Sequence, residues 1–309
     1  MPVTVTALDE AEDGADASEN SEALSTYPYQ TIAVHGREVG ALARTIAKAV
    51  APEYSQLYEL AGRCHDIGKA HPAFNNSIVD PEGGPKRPHR PDLAKAPEAA
   101  WLPVSKMYPM VGGRRAGLRH ELASTLALFS VLQRHAPDHP AMLGPWREWL
   151  TQAGLAVNAV VPPEAPPSIV EREVIALDAE RFNLLAYLVC AHHGKVRVSW
   201  HASPADQNAN TEVARIRGLQ DGDRLPAIQL ATMDHDFAWF PECRLDMAPA
   251  SAGLNPSTGC GWTERVLGLL GRHGPFTLAW LEALLIAADR RASRRTDVRD
   301  GLLDQEPIR

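Results

Sequence analysis

Apolar residues recur at helical spacing in several segments of the chain, separated by stretches rich in proline and glycine. Leu57, Leu60, Ala61 and Cys64 follow one another at intervals of three or four residues, as on one face of an α-helix, and Gly68 is expected to end this helix. The same pattern predicts further helices: one from His35 to a stop at Pro52, one opening at His120, a Trp-bearing segment near 145–153, one from Asp178 to Ala191, and two near the C-terminus, the second running from Thr277 to Ala288. The chain is therefore predicted to be all-α, with no internal repeat.

Two segments lack this periodicity, and we expect both to be long irregular insertions. Residues 76–118 hold seven prolines between Pro81 and Pro109. Residues 195–261 contain short β-prone pieces, from Val196 to Trp200 and from Ile228 to Leu230, among turn residues. The second insertion is therefore predicted to carry one small β-hairpin.

Imidazole and carboxylate groups stand at or near the predicted ends of these helices. They are His35, the adjacent pair His65 and Asp66, His120, the pair His192 and His193, and Asp289. Isolated histidines are more often surface residues or hydrogen-bonded core residues, but their recurrence at helix ends suggests one shared pocket. A neutral imidazole gives a divalent ion one directed nitrogen, and a carboxylate can bridge two ions. We interpret His65 and Asp66 as metal ligands.

Composition places the chain among ordinary soluble proteins. It has 309 residues, of which 45% are hydrophobic and 22% are charged. No apolar run approaches the roughly 20 residues that span a bilayer, and the N-terminus lacks a signal pattern, so we expect a cytoplasmic protein without membrane contact. The four cysteines show no C-x-x-C spacing, and Cys64 and Cys190 are expected to be buried and reduced.

The net charge of -7 comes entirely from the first 26 residues. They hold seven of the 38 acidic residues and no Lys or Arg, so the other 31 acids balance the 31 basic residues of residues 27–309. We expect residues 1–26 to be a disordered acidic tail and residues 27–309 to form a single domain. Any polyanion would have to be held by local basic clusters.

The chain resembles the HD-domain metal-dependent phosphohydrolases and, within them, the HD nuclease of type I CRISPR interference. The resemblance rests on the run from His65 to Ala70 with Pro72-Ala73-Phe74 after it, on Arg119-His120-Glu121, on the run from Ala191 to Lys195, and on Ala288-Asp289. It implies an HD-domain helical bundle. Asn75 stands where this family would have glutamine.

The resemblance also implies a ligand set. One metal would be held by His35, His65, Asp66 and Asp289, and a second by Asp66, His120, His192 and His193. With five imidazoles and two carboxylates, such a site favours manganese, nickel, cobalt or iron over magnesium. Lys69 would contact the scissile phosphate, although a surface role is also open, and His71 is expected to stay outside the ligand set.

Basic residues close to these ligands are candidates for binding nucleic acid. They are Arg114, Arg115, Arg119, Lys195, Arg197, Arg290 and Arg291. Arginines near the end of the last helix could equally offset the helix dipole.

The function implied is hydrolysis of phosphodiester bonds of single-stranded DNA with two metal ions. The strand would be presented by a CRISPR surveillance complex and a helicase. Because the 309 residues contain no helicase motif, the helicase would be a separate protein or part of a longer chain. Two alternatives stay open, namely an HD phosphohydrolase acting on nucleotides or small phosphoesters, and a non-catalytic interaction module braced by metal.

Overall fold

The computed structural model describes residues 28–111, 113–157, 165–194, 196–207 and 213–296, so the expected acidic tail and Lys195 lie outside the described residues. Within this part the helices are α1 (Ile32–Val50), α2 (Ser55–Cys64), α3 (Pro72–Asn75), α4 (His120–His135), α5 (Arg147–Gln152), α6 (Ile169–Ile175), α7 (Ala179–Ala191), α8 (Pro204–Gln207) and α9 (Trp262–Thr296). The predicted all-α class is confirmed. None of the described helices is both long enough and apolar enough to cross a membrane.

Helices α1 and α2 pack unusually closely because glycines line their interface. A Cβ atom on Gly62 would lie 2.6 Å from the backbone nitrogen of Gly40, and one on Gly36 would lie 2.9 Å from the carbonyl oxygen of Arg63. Real side chains do not approach backbone atoms this closely, so larger residues at these positions would force the helices apart. The contact brings His35, in the first turn of α1, beside His65 at the end of α2.

Helices α4 and α7 form the centre of the core. In α4 every residue from His120 to Leu132 is buried, and Phe129 packs edge-on against Phe182 of α7 with ring centroids 5.3 Å apart. Burying a phenylalanine stabilises a fold by about 1.5–3 kcal/mol, so this contact fixes the two helices firmly. Helix α4 begins at His120, beside the 3-10 turn Ile67–Ala70 that follows α2, and His192 and His193 directly follow α7.

Helix α9 is two helical pieces joined at Gly274, whose φ of 74° and ψ of 159° interrupt the helix before Pro275. The predicted pair of C-terminal helices is therefore confirmed. The second piece packs against α1 and α7 and carries Asp289 into the core.

Strands are short and antiparallel in the described residues. They pair as β1 (Gln30–Thr31) with β2 (Leu93–Lys95), β3 (Pro109–Met110) with β4 (Gly113–Arg114), β5 (Arg215–Ile216) with β6 (Leu219–Gln220), β7 (Arg224–Leu225) with β10 (Cys243–Arg244), β8 (Ile228–Ala231) with β9 (Phe237–Phe240), and β11 (Leu254–Asn255) with β12 (Gly259–Cys260). The second insertion thus contains four pairs where one hairpin was predicted. The strand predicted from Ile228 is present, but Val196 to Trp200 forms bends.

The first insertion is fastened to the helical core at β2. Leu93, Ala94 and Lys95 are buried, and the Lys95 ammonium donates a hydrogen bond to the Ser293 hydroxyl of α9 at 2.8 Å. The four cysteines are free, and Cys64 and Cys190 are buried as predicted.

Candidate metal centre

Two histidines of the site are oriented by the same backbone contact. Nδ1 of His65 donates to the carbonyl oxygen of Gly62 at 2.8 Å, and Nδ1 of His192 donates to that of Val189 at 2.7 Å. Because a carbonyl oxygen only accepts, the proton sits on Nδ1 and the lone pair of Nε2 is free. Both Nε2 atoms are buried and have no hydrogen-bond partner among the described residues. The two rings lie 5.0 Å apart between centroids, and ligand atoms of His65, Asp66 and His192 fall within 4.8 Å of one another, so the two buried acceptors share one site.

The first ligand group comes from the ends of α1 and α2 and from α9. Nε2 of His35 lies 3.0 Å from Oδ1 of Asp289, and Nε2 of His65 lies 3.8 Å from the same oxygen. One ligand atom from each of the three side chains lies within 4.8 Å of the others, and all three are buried. This spacing is suitable for one divalent cation.

The second group joins the start of α4 to the end of α7. Nε2 of His193 lies 3.1 Å from Nε2 of His120, and the rings of His192 and His193 are 4.1 Å apart between centroids. Ligand atoms of His120, His192 and His193 also fall within 4.8 Å of one another. A second cation site of three imidazoles is thus possible beside the first.

The carboxylate of Asp66 lies between the two groups. Its Oδ2 is 3.4 Å from Nε2 of His65 and 3.6 Å from Nε2 of His35, whereas its Oδ1 is 3.3 Å from Nε2 of His120. Each oxygen thus faces a different group. A carboxylate in this position can bridge two ions.

Burial and neighbouring charges shift the pKa values of several side chains in the two ligand groups. Burial lowers the pKa of His35 to about 4 and, together with the neighbouring His65 and His120, that of His192 to about 3. Burial alone would raise the pKa of Asp66, but the nearby His65 and Lys69 outweigh it and hold that pKa well below its usual value. His35 and His192 are therefore neutral at neutral pH, and Asp66 is charged.

The residues present therefore fit one or two divalent cations. Two buried nitrogen acceptors without hydrogen-bond partners, on His65 and His192, are costly to fold unless something binds them. The donor set of imidazole nitrogens and carboxylate oxygens suits borderline divalent metals.

Two buried lysines offset the negative charge of the site. The ammonium of Lys69 lies 2.9 Å from Oδ2 of Asp66. Burial alone would raise the pKa of Asp289, but the hydrogen bond with His35 and the nearby ammonium of Lys95, at the end of β2, outweigh it and hold that pKa well below its usual value. The sequence pattern gave no signal for Lys95, because nothing marks a lysine in a proline-rich insertion as buried.

Gly68 places α4 against the turn that carries Asp66. A Cβ atom at this position would lie 2.0 Å from the carbonyl oxygen of His120, and the Gly68 amide donates to the Ser124 hydroxyl at 2.8 Å. Helix α2 has already ended at Cys64, and Gly68 lies in a 3-10 turn. The prediction that Gly68 ends the helix is therefore wrong. Gly68 instead allows the backbone of this turn to approach the backbone of α4 at His120.

His71 is a structural residue, as expected. Its Nδ1 accepts from the amide of Ala73 at the start of α3, and its Nε2 lies 3.1 Å from Oδ2 of Asp223. Asp223 also receives a hydrogen bond from Arg115 at 2.8 Å. The turn after the ligands is thereby tied to both insertions, a connection that the sequence did not reveal.

The candidate nucleic-acid-binding residues fall into two classes. Arg290 and Arg291 are exposed on α9 next to Asp289. The others are engaged by protein groups: Arg114 donates to the carbonyls of Val104 and Ser105, Arg115 to Gln220 and Asp223, and Arg197 to Glu282 and the carbonyl of Gly194, while Arg119 is buried. Lys195 lies outside the described residues. Arg290 and Arg291 are thus the two candidates whose side chains are exposed and form no ion pair with the residues that the structure describes.

Arg197 has a supporting role at the second ligand group. Its guanidinium donates three hydrogen bonds to the Glu282 carboxylate, at 2.6, 2.9 and 3.0 Å, and one to the carbonyl oxygen of Gly194 at 2.7 Å. Gly194 follows His193 with a φ of 73°. This clamp fixes the turn after the paired histidines to α9.

Comparison with known proteins gives one match. A family model described as "Cas3, HD domain" matches residues 31–297, a range that includes every residue of both ligand groups. No curated protein and no solved structure matches the chain.

Proposed function

The chain belongs to the Cas3 HD-domain family of metal-dependent nucleases of CRISPR interference, and from that premise we propose that it hydrolyses phosphodiester bonds of single-stranded DNA with two divalent cations. The observation that carries this proposal is the position of Asp66. Its Oδ2 faces His35 and His65, and its Oδ1 faces His120. A bridging carboxylate between two imidazole-rich groups supports a two-cation centre.

The ligands of the proposed centre follow the two groups. His35, His65 and Asp289 would hold one cation, and His120, His192 and His193 the other. Asp66 would contribute to both, because one of its oxygens faces His35 and His65 and the other faces His120. Five imidazoles favour manganese, nickel, cobalt or iron over magnesium, which prefers oxygen ligands and retained water. When bound, such cations supply activation of a water molecule and charge stabilisation at the phosphodiester oxygens.

The protein's own side chains orient the ligands and meet the substrate. The carbonyl contacts of His65 and His192 fix which ring nitrogen is free, and the close packing at Gly68 sets the position of His120. Lys69 places a positive charge next to Asp66, and we propose it as the contact to the scissile phosphate.

The substrate class is inferred from the charges around the site. Arg290 and Arg291 are exposed and follow Asp289 directly, so they could hold the phosphates of a polynucleotide that enters the centre. We propose that a CRISPR surveillance complex and a helicase, in trans or in a longer chain, present the strand.

The test is cleavage of circular single-stranded DNA after chelation and addition of manganese, nickel or magnesium. Wild type should cut the circle with manganese or nickel, and Asp66→Asn should cut at least about a hundredfold more slowly, which corresponds to about 3 kcal/mol of lost transition-state stabilisation. His139→Gln is the matched control, because His139 is buried outside the site and contacts the carbonyl of Leu177.

Other outcomes would favour the alternatives. Turnover of nucleotides without cleavage of polynucleotides would favour a small-molecule phosphohydrolase. Metal binding without hydrolysis of either substrate would favour a non-catalytic module. Equal cutting by Asp66→Asn would overturn the assignment of the centre.

A further inference from the structure

Three arginines form an exposed basic face near the end of α9. Arg290, Arg291 and Arg294, here called the arginine face, are all exposed. None of the three forms an ion pair with any residue in the described part of the chain. Three neighbouring guanidinium groups repel one another, which favours an anionic partner.

The N-terminal segment leaves the described fold close to this face. Gln30 of β1 pairs with Lys95 of β2, and the Lys95 ammonium donates to the hydroxyl of Ser293 at 2.8 Å. Ser293 lies between Arg291 and Arg294 in the sequence. A helix with its side chains is about 10–12 Å across, so the strand that follows the segment is separated from the arginine face by the Lys95 side chain and the width of α9.

Residues 1–26 are negatively charged and are therefore complementary to the positively charged arginine face. They carry seven acids, Asp9, Glu10, Glu12, Asp13, Asp16, Glu19 and Glu22, and no basic residue. An extended chain covers about 3.3–3.6 Å per residue, so Glu22 can lie up to about 20 Å from Pro28 and the other acids farther. The whole acidic run can therefore reach the face.

We propose that the acidic segment 1–26 docks on the arginine face and competes there with polyanions. Each exposed ion pair is weak, but the segment is tethered beside its site, and a short tether gives an effective concentration of the order of millimolar. The docking itself does not depend on the proposed function. Its consequence, weaker binding of single-stranded DNA by the free protein, rests on that function. Salt should weaken both interactions.

The first experiment measures the affinity of the full chain for a fluorescent oligo-deoxythymidine at low salt. One variant neutralises Asp9, Glu10, Glu12, Asp13 and Asp16 to Asn or Gln. A matched control neutralises five exposed acids of the described fold, Glu53, Glu82, Glu98, Asp234 and Asp236. Both variants gain the same net charge. We expect the tail variant to bind about three- to tenfold more tightly than the control, and equal affinities would overturn competition at this face.

The second experiment detects the docking without nucleic acid. In Arg290→Lys/Arg291→Lys/Arg294→Lys, carbodiimide can cross-link the new amines to nearby carboxylates, and mass spectrometry identifies the partners. We expect cross-links to the acids of residues 1–26, which high salt abolishes. The exposed Lys48, Lys86 and Lys106 are internal controls. Absence of such cross-links, or equal cross-linking of the tail to the control lysines, would overturn the docking.

The two experiments separate the inference from the proposed function. If the tail cross-links to the face but no variant binds or cuts single-stranded DNA, the docking stands and the proposed substrate fails. If the wild type cuts DNA and the tail does not cross-link, the docking fails and the proposed function stands.

Discussion

The ammonium of Lys69 lies 2.9 Å from Oδ2 of Asp66, and both side chains are buried. The Lys69 ammonium therefore partly neutralises the Asp66 carboxylate, to which a cation would bind. Lys69→Met should destabilise the metal-free protein by about 3 kcal/mol, because removal of one partner leaves a buried charge. Metal should then stabilise the variant more than it stabilises the wild type, since no ammonium competes for Asp66.

The measurement is urea unfolding of Lys69→Met and wild type, with and without manganese. Lys69→Arg keeps the charge and is the matched control. If manganese raises the free energy of unfolding by the same amount in all three proteins, Lys69 does not compete with the cation for Asp66.

Separate variants should distinguish two cation sites from one. His35→Gln removes a ligand of the first group only, and His193→Gln removes a ligand of the second group only. Each variant should lose about one bound cation per chain by calorimetric titration with manganese, while Asp66→Asn should weaken binding at both sites. Loss of all binding in each single variant would indicate one shared cation.

The helical framework could be predicted from the sequence, because apolar periodicity is a local signal, and histidines at helix ends indicated one shared pocket. The division of these side chains into two ligand groups came from the family resemblance. Helix α6 was not predicted, although Ser168 and Glu171 form a capping box whose spacing is visible in the sequence. The positions of Lys95 and Asp223 could not be predicted. Their contacts with Ser293 and Arg115 join residues about 200 and 108 positions apart, and only the packed insertions bring them together.

Gly68 should be intolerant of any side chain. In Gly68→Ala the new Cβ would lie 2.0 Å from the carbonyl oxygen of His120, so the start of α4 must move and take His120 with it. We expect lower stability and loss of the cation at the second group. Gly268→Ala is the matched control, because no atom lies within 4 Å of a Cβ there, and alanine should stabilise α9 by up to about 1 kcal/mol. Thermal unfolding and manganese titration measure both effects, and unchanged metal binding in Gly68→Ala would show that His120 is positioned in another way.

The carboxylate of Asp223 should make stability depend on pH through its link between the insertions. Burial alone would raise the pKa of Asp223, but the contact with His71 and the amide of Gln220 lower it below the usual value. The folded protein therefore releases this proton more readily than the unfolded chain. The stabilisation is present above about pH 4, the value of an unfolded aspartate, and is lost as the pH falls through the lower folded value.

Asp223→Asn should remove this contribution and cost about 1.5–3 kcal/mol at pH 7, the range for a hydrogen bond to a charged group. Because Asp223 holds both His71 and Arg115, the variant also frees the turn that follows Asp66 from the two insertions. Urea unfolding between pH 3 and pH 7 should show that the difference between wild type and variant shrinks with acidification. A difference that stays constant over this range would mean that the Asp223 contacts act through packing and not through charge.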